Sequence, residues 1–194
     1  MRFRLASPRC LLALGFAALL AGATSTASAG EANPAYTSWA GCKPGSSVTM
    51  KNVTDMMGNK TNMEMTSTLV EVTPEKAVVE VKGFMEMMGQ KTDIPAQKQD
   101  IPATAPDGQP TDPVEAAKKA GAEVKDLGEE SVSIAGGSYK CKVMETKMEQ
   151  NGMTILSKIW TSTEMPGMLV KLESKTEGQM TSSSTMEVTA VDRK

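Results

Sequence analysis

The chain has 194 residues, a formal net charge of −2, no histidine, and 16 methionines, while aromatic residues make up only 4%. The missing histidine removes the commonest general base and the commonest metal ligand, and a Ser-His-Asp arrangement with it. A slightly acidic chain without a basic cluster is a poor nucleic-acid binder, because phosphate contacts supply most of that affinity.

The N-terminus reads as a targeting segment. Arg2, Arg4 and Arg9 make a basic n-region, Leu11 to Leu20 an apolar core too short to span a bilayer, and Ala27-Ser28-Ala29 a small-x-small cleavage pattern. Residues 1–29 are therefore expected to be a signal peptide, with residues 30–194 a single β domain in the periplasm or outside the cell. Loss of three arginines would leave 18 basic against 23 acidic side chains, a net charge of −5. No later stretch is apolar for long enough to predict an integral membrane helix. The remaining cysteines, Cys42 and Cys141, could pair in an oxidising compartment, closing a loop of about 100 residues worth about 4–5 kcal/mol in the chain-entropy model. The alternative is that Cys141 is a small buried strand residue and Cys42 a free thiol.

Residues 30–45 are turn-rich, with Tyr36 and Trp39 spaced for a short helical turn that plugs one end of a sheet. From Ser46 the period becomes two: Val48 and Met50 alternate with Thr49 and Lys51, and after Gly58-Asn59 the residues Met63, Met65, Ser67 and Leu69 share one side. This alternation predicts half-buried antiparallel strands joined by a hairpin. Thr73-Pro74-Glu75-Lys76 predicts a turn and Ala77 to Phe84, or on to Met88, a third strand. Residues 90–112 hold Pro95, Pro102, Pro106 and Pro110; prolines deny a strand its ladder donors, so an extended connector is expected, a plain loop or a lid across the sheet. Asp112-Pro113-Val114-Glu115 has the cap, the N1 proline and the glutamate of a helix start, and Gly121 a stop, predicting a short helix over 113–121.

The strand pattern then returns over Asp126 to Ala135, Ser138 to Gln150, Met153 to Thr163, Met168 to Glu173 and about Met180 to Val191, punctuated by Gly136-Gly137, Asn151-Gly152 and Pro166-Gly167. The expected fold is mainly β: an antiparallel meander of about eight strands forming a curved half-barrel, with one short helix and the Pro-rich connector. The segment Met56 to Lys82 resembles Lys147 to Glu173 in layout, as an internal duplication or a recurring meander would.

Methionine carries the chemistry. Met63-Glu64-Met65 and Met85-Glu86-Met87 place thioethers on one side of their strands. Such residues serve as core filler, as an adaptable apolar lining for a lipid or other hydrophobic ligand, or as soft ligands for Cu(I). The favoured expectation is a non-enzymatic secreted protein with no cofactor, binding a lipid, lipoprotein or hydrophobic ligand. Its expected lining is Met63, Met65, Met85, Met87, Trp160, Met168 and Val170. The alternatives are a Cu(I)-binding or oxidant-buffering protein and a ligand-free envelope module.

The run Trp160-Thr161-Ser162-Thr163-Glu164-Met165-Pro166-Gly167, after Tyr139-Lys140-Cys141-Lys142-Val143, resembles a group of uncharacterised secreted bacterial proteins with a W-x-S-x-E-x-P-G signature. It is more distantly similar to the LolA-like superfamily of periplasmic lipoprotein carriers. That resemblance implies an antiparallel half-barrel under a helical lid, holding acyl chains and lacking catalytic residues.

Overall fold

The computed structural model describes residues 31–105, 113–150, 152–178 and 181–194. The expected signal peptide and residues 106–112 of the expected connector lie outside them. Nine strands and two short helices follow one another as α1 (Pro34–Ala40), β1 (Ser47–Met56), β2 (Asn59–Val72), β3 (Lys76–Met87), β4 (Gln90–Pro102), α2 (Pro113–Lys119), β5 (Glu123–Ile134), β6 (Gly137–Gln150), β7 (Met153–Thr161), β8 (Leu169–Glu177) and β9 (Ser182–Asp192). All strands pair antiparallel in one sheet of order β4-β3-β2-β1-β9-β8-β7-β6-β5. The sheet is open, a half-barrel meander whose first strand pairs with its last. That pairing, Met50 opposite Val188 and Asn52 opposite Met186, joins the two hairpin series in the middle.

Two expectations need correction. The first half of the expected connector is a strand: β4 pairs with β3 from Lys76 opposite Pro102 to Met87 opposite Gln90. Its interior proline is tolerated for two reasons. β4 is an edge strand, so one row of its backbone groups needs no partner, and Pro95 falls where the register shifts, two residues (Pro95 and Ala96) facing Lys82 alone. The paired segment therefore does not cross the sheet as a lid. Second, two short helices are described where one was expected: the expected helical turn at Tyr36–Trp39, which does plug one end of the sheet, is a full helix of its own. Asn33 caps it, its Oδ1 accepting from the Ala35 N–H at 3.0 Å, and Pro34 supplies the preset first-turn φ. α2 matches its expected start and stop. Gly121, at φ 85°, donates to Lys118 O, and Ala122 N–H closes the longer bond to Ala117 O.

The core gathers at the end of the sheet beside α1. Trp39 is buried there with Val48, Leu69, Ala77, Val79, Val188, Val170 and Met165. Polar bonds lock the helix down. The Tyr36 hydroxyl donates to Thr73 O at 2.7 Å, and Ser38 Oγ accepts from Gly167 N–H at 2.9 Å while donating to Ala35 O. The β1–β2, β3–β4 and β6–β7 turns lie at the opposite end, where α2 leads into the start of β5 at Glu123, opposite Lys147, and packs on that strand.

Candidate ligand face

Residues directly opposite in a ladder share a face, so the register sorts every strand position. Beginning from Met63, one row runs Met85, Met63, Asn52, Met186, Leu172, Ile159, Met144 across seven strands. Two residues further from α1 along each strand, a second row runs Thr61, Thr54, Ser184, Ser174, Ser157, Thr146. Between the first row and the core lie Met65 and Met50, opposite one another. This is the methionine face. Along β1–β4 and β7–β9 it carries no charged side chain: its positions are Met, Val, Ile, Leu, Ala, Gly, Ser, Thr, Asn and Gln. Charges on that face (Asp126, Glu129, Lys140 and Lys142) are confined to the β5–β6 edge.

The second row is an uncharged hydroxyl ladder. Thr54 Oγ1 donates to Ser184 Oγ at 3.2 Å, Ser184 Oγ donates to Asn52 Oδ1 at 2.7 Å, and Ser157 Oγ donates to Ser174 Oγ at 3.2 Å. All six hydroxyl residues are half-buried. The face is thus banded, thioether and aliphatic beside hydroxyl, at roughly 7 Å between rows.

The other face is its electrostatic opposite. Glu64, Lys51, Glu187 and Lys171 form one row of alternating sign, and Lys158 lies between Glu173 and Glu145. Such opposed charges support pairing while staying in water.

The expected lining residues divide between these environments. Met63, Met65, Met85 and Met87 share the methionine face, with Met63 directly opposite Met85. Trp160 does not join them. It lies opposite Lys171 and Val143, which puts it on the charged face. Its ring is flanked by the Lys158 and Lys171 ammonium groups at 4.5 and 5.1 Å from its centroid, its indole N–H donates to Glu130, and it is 4% exposed. Trp160 is a packing residue with a polar handle. Val170, fully buried, sits at a register shift between β7 and β8 and belongs to the core. Met168 lines a cleft of about 440 Å³ at the β5–β6 edge of the methionine face, together with Pro34, Lys142, Met144, Thr161 and Glu164. Lys140 lies in that cleft's wall, its ammonium 2.7 Å from Glu129, and that contact raises its pKa above the ordinary lysine value. Residues missed by sequence reasoning are those on β9 and the lower strands: Met186, Leu172, Ile159 and the hydroxyl ladder. Their alternation was visible, but the strand that carries them beside Met63 was not.

Cys42 and Cys141 are free thiols. Cys141 Sγ points to Tyr139 O at 3.5 Å and Cys42 Sγ to Ser38 O at 3.8 Å. Burial pushes the Cys141 thiol up, and the Glu130 and Glu164 carboxylates push it the same way, so it stays protonated and a poor nucleophile at neutral pH.

No helix among the described residues is long and apolar enough to cross a membrane. No family model matches the chain, and no curated protein matches it. Among solved structures it is similar to a Bacteroides fragilis protein named as exported with a YmcC-like fold, at 11% identity and a TM-score of 0.44, covering 78% of this chain and 97% of that one. Neither the signature group nor the lipoprotein carriers finds support in these comparisons, so the site stands on its own geometry.

Proposed function

We propose that the chain is a non-enzymatic exported protein that binds an uncharged, largely hydrophobic ligand, a lipid or the acyl portion of a lipoprotein, on the methionine face. The observation that carries this is the absence of any charged side chain on that face along β1–β4 and β7–β9, while the same strands alternate Lys and Glu on the other side. A face that merely met water would tolerate charges on both sides. Flexible thioethers fit varied apolar shapes, and Met85 and Met87 are left exposed beside Met63. The hydroxyl ladder supplies neutral donors and acceptors for a polar but uncharged part of the ligand. The leader-like N-terminus supports export. The lack of histidine together with the inert Cys141 supports a binding role over catalysis.

A second reading has one specific support: Met63 opposite Met85 brings two thioethers within cross-strand reach, Cβ atoms roughly 5 Å apart, as soft Cu(I) ligation would require. One experiment separates the two. Native mass spectrometry of protein purified gently from its own host is expected to show co-purifying lipid, and the delipidated protein to take up a fluorescent fatty acid. A bound copper mass instead would favour the metal. A clean apo mass with no uptake of fatty acid sinks the ligand reading.

A further inference from the structure

Two hairpin tips carry nearly the same seven residues. Asp55-Met56-Met57-Gly58-Asn59-Lys60-Thr61 joins β1 to β2, and Glu86-Met87-Met88-Gly89-Gln90-Lys91-Thr92 joins β3 to β4. Thr61 lies opposite Met87, so both tips leave the sheet side by side at the end remote from α1. Each turn places methionine and then glycine in the left-handed region: φ is 53° at both Met57 and Met88, 87° at Gly58 and 77° at Gly89.

Such two-residue turns match the twist of a hairpin, but their first position favours asparagine, aspartate or glycine, because a long side chain's Cβ crowds the backbone there. The β5–β6 turn makes the same conformation with a short side chain, Ala135 at φ 51° before Gly136 at φ 76°. At these two tips the chain holds methionine instead. Packing is no compensation. Met57 is 73% exposed, Met88 83%, and Met87 50%. A repeated residue that suits neither the backbone nor the core points to something outside the chain.

We infer that the paired tips are a membrane-contact element, in which Met57, Met87 and Met88 insert shallowly into the surface of an electrically neutral lipid bilayer. Apolar side chains projecting from a loop leave water when they enter the headgroup–acyl boundary, and binding strength follows the apolar area buried. The charges select the lipid class. Asp55 stands opposite Lys60 and Glu86 opposite Lys91, so each hairpin is neutral. Asp55 Oδ1 also accepts from Gly58 N–H at 2.9 Å, and the Lys91 ammonium lies 3.6 Å above the Phe84 ring. The basic excess that draws a protein to anionic lipid is missing from these tips. The inference stands apart from the ligand reading. If both hold, docking brings the open end of the methionine face to the bilayer from which a lipid would be taken.

The test is flotation of the full chain with phosphatidylcholine vesicles, comparing it with Met57→Asn combined with Met88→Asn. Asparagine accepts the left-handed turn, so the variant should melt at or above the wild-type temperature. Wild type is expected to float with the vesicles with little dependence on salt. The variant is expected to partition at least about tenfold more weakly, as loss of two inserted apolar side chains implies. Equal flotation of both proteins, no flotation of wild type, or flotation that needs anionic lipid and disappears in high salt would each overturn the inference. Fatty-acid uptake in solution should be unchanged in the variant. Absent uptake in both proteins, with wild-type flotation intact and the variant's lost, would sink the ligand reading and support this one.

Discussion

On one face of the sheet Glu64, Lys51, Glu187, Lys171 and Trp160 stand in a row; one residue along each strand, on the other face, Met63, Asn52, Met186, Leu172 and Ile159 stand in theirs. The backbone bonds beneath the two rows are the same. The first row spends its side chains on pairing and solubility, with Lys158 and Lys171 flanking the one tryptophan of the meander. The second row is mixed: at the α1 end the same face is filled by Trp39, Val48 and Leu69, and two turns of pleat further on Leu172 is still buried while Met63, Asn52, Met186 and Ile159 are half-buried. Stability is therefore concentrated at one end and on the Trp160 side. The methionine and hydroxyl bands are free to serve a ligand.

The comparison can be broken in three ways, beginning with the largest effect. Trp160→Ala removes a buried indole and should cost about 3–5 kcal/mol in guanidinium unfolding. Fatty-acid uptake measured well below the unfolding midpoint should survive. Loss of uptake in a still-folded Trp160→Ala protein would place the ligand on the charged face after all.

The next contrast uses neighbours on β9. Met186→Lys puts a charge into the uncharged row and should weaken uptake at least about tenfold, at a stability cost of about 1–3 kcal/mol for a half-buried polar insertion. Glu187→Met, one residue away and on the opposite face, should leave uptake as it was and change stability by less than about 0.5 kcal/mol. Equal effects of the two would erase the distinction between faces.

The smallest effect lies in the acid limb. The Lys147 ammonium, hydrogen-bonded to Glu149, and the Lys175 ammonium, hydrogen-bonded to Glu177, hold both carboxyls below the usual glutamate value. A depressed folded pKa gives stability that is present above the unfolded glutamate value and lost as pH falls through the folded one. Glu149→Gln with Glu177→Gln should accordingly lower the urea midpoint slightly near neutrality and shrink that difference as pH falls below about 4.5, where the wild-type carboxyls take up protons. Both groups are solvent-exposed, so the shift is expected to be small.

Much of the fold was legible in the sequence. Period-two alternation from Val48 to Leu69 and from Ser138 to Leu172, with Gly58, Gly136 and Gly152 at the turns, was enough to place most strands within a few residues. The caps at Asp112-Pro113 and Gly121 marked α2. β4 was not legible, because a proline's missing donor argues against a central strand and is silent about an edge strand with a bulge at Pro95. The candidate site was half legible. Alternation tells which residues of one strand share a side, so Met63 with Met65 and Met85 with Met87 could be grouped at sight.

What alternation does not carry from strand to strand is the parity of the neighbour. Parity is set by register, and register is reset at each bulge: beside Val70, Thr189, Val170, Leu127 and Pro95 one strand gains a residue on its partner. Tryptophan at 160 therefore looked like a companion of the methionines, although the ladder through Met186 and Leu172 runs on through Ile159 to Met144. The sequence by itself determined the strands, the turns, and the unusual supply of methionine and hydroxyl side chains on them. Only the tertiary structure decided that β1 and β9 meet, a contact 130 residues apart at Thr54 and Ser184. That pairing closes the two hairpin series into one sheet and so assembles a single uncharged face from residues that no local pattern connects.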